Sequence, residues 1–316
     1  MLTAYTVRNE VLTSRPVTRF EELDADVRWL DLSNPTAQER QWVRQAYGQE
    51  VLFIEELGEI EASARYYRDE MGLHLHLYFL HRENGSDASR NVDVAFTINQ
   101  GRLYTLHAED VPELRAYYSH VQTHPELRDE AMCILLGVVS VRLGMLADAY
   151  ERLQIEMETL SRSIFAGDDP TMTRALLTLA RIEDIHGKAH LGLINDQRVF
   201  TSLRRTREGE QWGDSIDTIL RDVDSLTQHS RFLFERTKFM MDTALGMINV
   251  GFSRRLNVFT VLSVVLMPPM LVVSIYGMNF RHMPELEWIW GYPFALILAA
   301  ASAIGPILWL KRKRWL

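Results

Sequence analysis

Residues 256–280 read LNVFTVLSVVLMPPMLVVSIYGMNF. The first twenty, Leu256–Ile275, carry no charged side chain. As an α-helix rising 1.5 Å per residue they reach about 30 Å, the thickness of a bilayer's hydrocarbon core. Gly277 and Asn279 then interrupt the pattern. A second uncharged run of nineteen residues, YPFALILAAASAIGPILWL, covers Tyr292–Leu310. Two membrane spans joined by a short loop are expected. Two buried core helices are the weaker reading, because soluble helices of this length carry a polar face.

The flanks orient this hairpin. Arg254 and Arg255 precede the first span, Lys311, Arg312, Lys313 and Arg314 follow the second, and the loop between holds one base, Arg281. The positive-inside rule then predicts cytoplasmic N- and C-termini and an external loop. Trp288, Trp290 and Tyr292 fall at one interface, Trp309 and Trp315 at the other. Aromatic rings with a polar edge favour that depth. Residues 251–316 hold seven bases and two acids; the 250 before them hold 27 bases and 40 acids. An acidic cytosolic part on a basic membrane hairpin is the expected organisation. The one cysteine, Cys133, allows no intrachain disulfide and suits a reducing compartment. The opening stretch, MLTAYTVRNEVLTSRP, lacks a seven-residue apolar core and is not expected to be a secretory signal.

Within the first span, Ser253, Thr260, Met267 and Ser274 recur every seven residues, with Asn257 four after Ser253. They form one stripe on one helix face. Small and hydroxyl residues also pack membrane helices against each other, so the stripe reads either as a packing seam or as a water-lined wall. Pro268-Pro269 at mid-span frees backbone carbonyls and bends the helix. Two spans cannot enclose a pore, so a conduit requires a ring of chains. The second span, rich in alanine, reads as packing or lipid-facing helix.

Upstream, VRWLDL (27–32), GLHLHLYFLH (72–81), VDVAFTI (92–98) and GRLYTLH (101–107) read as strands, with NQG (99–101) a hairpin turn. PTAQERQWVRQAYG between them reads as helix. Helical spacing then takes over in 129–166, breaks at GDDP (167–170), and resumes in 171–206. After EGEQWGDS (208–215) a third pattern runs without a proline to Pro268. If continuous from 215 to 275 it is about 90 Å long, and helices of that length usually pair. The expected divisions are an α/β domain over 1–125, a helical hairpin over 126–208 and a stalk helix over 209–255. Then come a first span over 256–276, a loop over 277–291, a second span over 292–310 and a basic tail over 311–316.

His74 and His76 share one strand face; they read as a metal pair or, more simply, as a half-exposed strand, since zinc wants three or four ligands. Asp222, Asp224, Glu235 and Asp242 on the long helix read first as a solvated face. No phosphate-loop, zinc-protease, nucleophile-elbow or dinucleotide motif occurs, and no basic nucleic-acid patch. Neither an enzyme nor a nucleic-acid binder is expected.

YGMNF after an apolar span carrying MPP, then MPEL, a second span and a tail ending KRKRWL, resembles the CorA magnesium channel family, enterobacterial members in particular. IEASARYYRDEMGLHLH (60–76) and LRDVDSL (220–226) are similar too. The resemblance implies an α+β cytosolic domain with a long helical stalk and two transmembrane helices. It implies a funnel-shaped homopentamer in a bacterial inner membrane, conducting Mg²⁺, with Co²⁺ and Ni²⁺ as further candidates, and needing no cofactor. Carried onto this chain, Tyr276, Gly277, Met278 and Asn279 form the selectivity loop, Asn279 foremost. Ser253, Leu256, Thr260, Met267, Met270 and Ser274 line the pore, Met267 as an apolar constriction. Ser253 stands where many members have asparagine, a departure at the inner ion site. Glu285 and Glu287 would gather cations outside. Asp242 and Asp222, with Glu83 or Asp87, would hold regulatory Mg²⁺ between subunits. Two alternatives stay open: a Zn²⁺ or other transition-metal transporter of the same fold, for which His74, His76 and His282 speak, and a non-conducting membrane scaffold or sensor.

Overall fold

The structure is a computed structural model that describes residues 1–8, 11–52, 65–82, 89–122, 130–166, 169–279, 283–284 and 287–313. It divides into two compact units, Met1–Asp242 and Thr243–Leu316.

The first unit is built on a seven-stranded sheet. Its strands are β1 (Leu2–Arg8), β2 (Val11–Pro16), β3 (Val27–Ser33), β4 (Tyr66–Asp69), β5 (Gly72–Arg82), β6 (Ser89–Asn99) and β7 (Arg102–His107), in the spatial order β2-β1-β3-β7-β6-β5-β4. β3 and β7 pair in parallel, and every other neighbouring pair is antiparallel. The four strands expected from sequence are β3, β5, β6 and β7. The expected NQG turn is the β6–β7 hairpin, with Asn99 paired to Arg102 and positive φ at Gln100 (48°) and Gly101 (74°). Two successive left-handed residues match the right-handed twist of the strands. Glutamine is a poor occupant of that region, and asparagine a good one. Gln100→Asn should therefore stabilise the protein by about 0.5 kcal/mol. The check is a small rise in its thermal unfolding midpoint; a fall would mean that the Gln100 side chain holds something the turn geometry does not reveal.

β1, β2 and β4 were not expected. β1 lies inside the sheet, and Leu2, Ala4, Tyr5 and Thr6 are all buried, so it lacks the alternation that marks a half-exposed strand. β4 has only four residues, none of them buried.

Helix α1 (Ala37–Tyr47) starts at a capping box: Glu39 N donates to Thr36 Oγ1 at 3.2 Å, and Thr36 N to Glu39 Oε2 at 2.7 Å. Left-handed Gly48 (φ 69°) ends it. Its Val43, with Trp42 and Tyr47, packs on Leu2, Ala4, Leu30, Leu32, Tyr104 and Leu106. Elsewhere Trp29 stacks on Tyr5 at 3.9 Å and meets the edge of Tyr117 at 6.1 Å. Tyr117 belongs to α2 (Pro112–Val121). Its ring lies so close to Gly137 that a Cβ there would sit 2.4 Å from Tyr117 Cε2, so only glycine admits the contact.

Gly137 lies on α3 (Ala131–Ala166), which with α4 (Asp169–Arg204) forms the expected helical hairpin. Buried polar groups tie the hairpin to β5. Asn195 Nδ2 donates to His76 O at 2.9 Å, and Arg142 donates to Tyr78 O and to the Asp196 carboxylate. After the short α5 (Arg207–Gln211), helix α6 runs unbroken from Gly213 to Tyr276, through Pro268 and Pro269, as the uninterrupted pattern foresaw. Its buried positions in the first unit are Ile216, Ile219, Val223, Ser230, Leu233, Thr237 and Met240, a three-and-four spacing that makes one seam.

In the second unit the end of α6 is followed by α7 (Gly291–Arg312). By length and composition three helices among the described residues could cross a membrane, α3 included. Burial separates them: the most apolar window is 56% buried in α3, 0% in α6 and 6% in α7. α3 spends its apolar residues on the core of the first unit; α6 and α7 leave theirs to an apolar solvent. That is the expected pair of spans.

Candidate functional site

Counted by 100° per residue, six of the seven half-buried positions of the α6 span, Val261, Val265, Pro268, Pro269, Val272 and Tyr276, form one face, and the seventh, Ser263, lies off it. Val272, Tyr276 and Gly277 line a cavity of about 440 Å³ with Trp288, Tyr292 and Ala295, so this face is the one turned to α7. Ser253, Leu256, Asn257, Thr260, Met267, Met270 and Ser274 are all exposed in the single chain. The sevenfold stripe within them is centred roughly 120° around the helix from the α7-facing side. The stripe is therefore not the seam between the two spans of one chain. Thr260 donates to Leu256 O at 2.8 Å, so its hydroxyl is satisfied within the helix and can still accept.

The stripe climbs to the end of α6. Gly277 N donates to Val273 O at 3.0 Å and Met278 N to Ile275 O at 3.2 Å, the last turns of the helix. A Cβ on Gly277 would lie 3.2 Å from Val273 O, tighter than ordinary contact. Asn279 has left the helix and is exposed, as is Met278. Tyr276 is half-buried on the α7 side, apart from those two. Glu287 is exposed; Glu285 and His282 lie outside the described residues.

Of the acids assigned to regulation, the two among the described residues are not brought together. Asp222 and Asp242 are exposed and twenty residues apart on α6, about 30 Å along the axis. Glu83 and Asp87 lie outside the described residues.

His74 is buried between partners: its Nδ1 lies 3.0 Å from Thr97 Oγ1 and its Nε2 2.9 Å from Asp69 Oδ1, with Tyr67 stacked at 4.5 Å. Both ring nitrogens are therefore engaged. His76 is 1% exposed, and neither ring nitrogen has a hydrogen-bond partner. Burial pushes its pKa down to about 4, with His74 and Arg65 adding repulsion. Among the described residues no group of three or more His, Cys, Asp and Glu could hold a metal ion.

Sequence reasoning passed over two features. One is the ion pair of Arg142 and Asp196, whose side chains are 6% and 0% exposed. The other is the polar layer around Ser230 in the α6 seam, where His186 Nε2 lies 2.6 Å from Ser230 O. Its signal was available: Ser230 falls in sevenfold register with Ile216 and Val223.

A family model described as CorA-like Mg2+ transporter protein matches residues 24–312. The magnesium transport protein CorA of Yersinia pseudotuberculosis is 39% identical over 318 residues, covering 100% of both chains. The magnesium transport protein CorA of Escherichia coli is also 39% identical with full coverage of both. Among solved structures, the complete CorA magnesium transporter of Methanocaldococcus jannaschii superposes with a TM-score of 0.77 at 18% identity, covering 100% of this chain and 99% of that one.

Proposed function

The chain belongs to the family of CorA-like Mg²⁺ transporter proteins, and from that premise we propose that it is a homo-oligomeric channel that admits hydrated Mg²⁺ across the bacterial inner membrane. The observation that carries this reading is the exposed polar stripe of α6, turned away from α7 and ending at Asn279. A stripe of this kind facing lipid leaves the Asn257 amide and the accepting side of its hydroxyls without water or partner, which a bilayer does not tolerate cheaply. Copies of the chain arranged in a ring turn the stripes inward, and a pentamer is the arrangement we favour. Exposed Phe232, Leu245 and Phe252 on α6 are further apolar surface for a neighbouring copy.

Mg²⁺ gives up its water reluctantly and holds it in a near-ideal octahedron. A ring of neutral Asn279 amide oxygens recognises those waters without stripping them, and releases the ion readily. Met267, exposed on the same stripe, narrows the path with an apolar ring that can dewet. Glu285 and Glu287 raise the cation concentration outside. Co²⁺ and Ni²⁺, hydrated ions of similar geometry, are the expected companions.

The test is ion entry into proteoliposomes, followed by trapped indicators, with Mg²⁺ and Zn²⁺ offered separately and copy number read by native mass spectrometry. Mg²⁺ entry supports the reading. Zn²⁺ entry alone moves the protein to transition-metal transport. No entry of either ion through a folded oligomer makes it a membrane scaffold or sensor.

Regulation is proposed at Asp242 and Asp222, paired across subunits with Glu83 or Asp87 of a neighbouring copy. Mg²⁺ bridging such carboxylates holds the cytosolic units together; without it like charges face each other. Asp242→Ala is expected to abolish most of the protection that millimolar Mg²⁺ gives the cytosolic unit against protease. Undiminished protection would remove Asp242 from the site.

A further inference from the structure

The α6 seam against the helical hairpin is apolar except at Ser230 and Thr237, and Thr237 donates its hydroxyl to Leu233 O of its own helix at 2.8 Å. Ser230, fully buried, occupies a position between Val223 and Thr237 where the spacing calls for an apolar residue. His186 of α4, 3% exposed, places Nε2 2.6 Å from the backbone oxygen of Ser230 and 2.9 Å from its Oγ. His190, one turn on, places Nδ1 3.0 Å from the same Oγ. One proton arrangement satisfies the layer. His186 Nε2–H donates to Ser230 O, Ser230 Oγ–H donates to His190 Nδ1, and both imidazoles are neutral.

The surroundings suit neutral rings. From α3, Tyr150 lies 5.9 Å from His186 and turns its buried hydroxyl toward Ser230. From α6 come the rings of His229, 5.9 Å from Tyr150, and Phe234, 5.7 Å from His186. Arg231 repels a charge on His190, and His190 and His229 repel one on His186. Among the described residues, the acid that favours a charge on His186 is Glu183 on α4, which is exposed. A proton arriving on His190 Nδ1 abolishes the acceptor that Ser230 uses. A proton on His186 puts a charge in a layer with no buried counter-ion.

We propose that this layer is a cytosolic proton sensor: protonation of His186 and His190 loosens α6 from the helical hairpin and so couples internal pH to the helix that continues into the membrane. The consequence for transport rests on the channel reading of the preceding subsection; the loosening itself does not.

The direction follows from linkage. Burial lowers both histidines below their ordinary 6.5. The opened seam therefore binds protons that the closed seam refuses, and the closed form loses stability as pH falls below about 6.5, until the lowered values are passed. Above 6.5 both forms are neutral and pH has no hold.

The experiment is amide hydrogen exchange of residues 213–242 in the full chain in lipid nanodiscs, at pH 7.5 and 5.5, corrected for intrinsic rates. Wild type is compared with His186→Gln, which keeps an N–H donor toward Ser230 O but does not titrate, and with His190→Gln at its half-buried site. The opening constant should rise about tenfold between the two pH values in wild type, and clearly less in each variant. Equal rises in all three proteins overturn the proposal. Should His186→Gln fail to fold, His190→Gln alone decides, since its position tolerates polar replacement. Mg²⁺ uptake with the cytosolic face at the same two pH values is the second readout. Altered exchange with no Mg²⁺ flux under any condition keeps the sensor and sinks the channel. Flux and exchange that respond to pH alike in wild type and variants sink the sensor alone.

Discussion

Asn279→Ala should cut Mg²⁺ uptake by about tenfold or more while leaving the thermal unfolding midpoint and copy number where they were. The two halves of that expectation have separate grounds. Asn279 is exposed and lies beyond the end of α6, so the fold has little to lose. On the proposed reading its amide oxygen receives hydrogen bonds from the water shell of the arriving ion. A hydrogen bond to a charged group is worth roughly 1.5–3 kcal/mol, and each 1.4 kcal/mol is a factor of ten. The same site distinguishes recognition from simple attraction. Asn279→Asp supplies a charged ring, which should bind Mg²⁺ at lower concentration yet pass it more slowly, because conduction needs the ion to leave. Uptake by Asn279→Ala within about twofold of wild type, at the same ion gradient, would sink the entrance role.

The spans were legible because a bilayer imposes a length and forbids charge, and both constraints are written in residues 256–275 and 292–310. Composition alone would have given a third candidate, since α3 is long and apolar enough. What kept it out of the expected membrane set is the charge within its pattern, Arg142, Asp148 and Glu151 among it. The strands β5, β6 and β7 were legible through alternation and one turn; β1 was not, because burial on both faces erases the alternation. The polar stripe was visible as a repeat of seven, but which surface it serves was not. That required the half-buried face toward α7, a property of two helices together. Arg142 marks the limit from the other side. It stands alone among apolar neighbours, VVSVRLGML, while its partner Asp196 lies 54 residues away on another helix. Nothing local in a sequence announces what compensates such a charge.

That pair carries the other large expectation. Asp196→Ala should destabilise the Met1–Asp242 unit by about 3–5 kcal/mol, because it strands a buried guanidinium. Arg142 still reaches Tyr78 O and lies 5.1 Å from the Phe79 ring, but neither supplies a negative charge, and its Nε already has no partner. Burial raises the Asp196 pKa and Arg142 opposes the rise, so neither residue is comfortable without the other. At roughly 2–4 °C per kcal/mol for a unit of this size, the midpoint of purified protein should fall by about 10 °C. The double change Arg142→Met with Asp196→Leu should recover most of that loss, since well-packed apolar residues commonly replace a buried pair at little cost. An unchanged midpoint in Asp196→Ala would mean that water reaches Arg142 and that the pair is not what clamps α3 and α4 to β5. Set beside Asn279→Ala, the pair separates two ways of losing transport. One substitution should leave a stable oligomer that does not conduct. The other should leave fewer folded molecules, each conducting as before, so uptake normalised to folded protein should fall in the first and hold in the second.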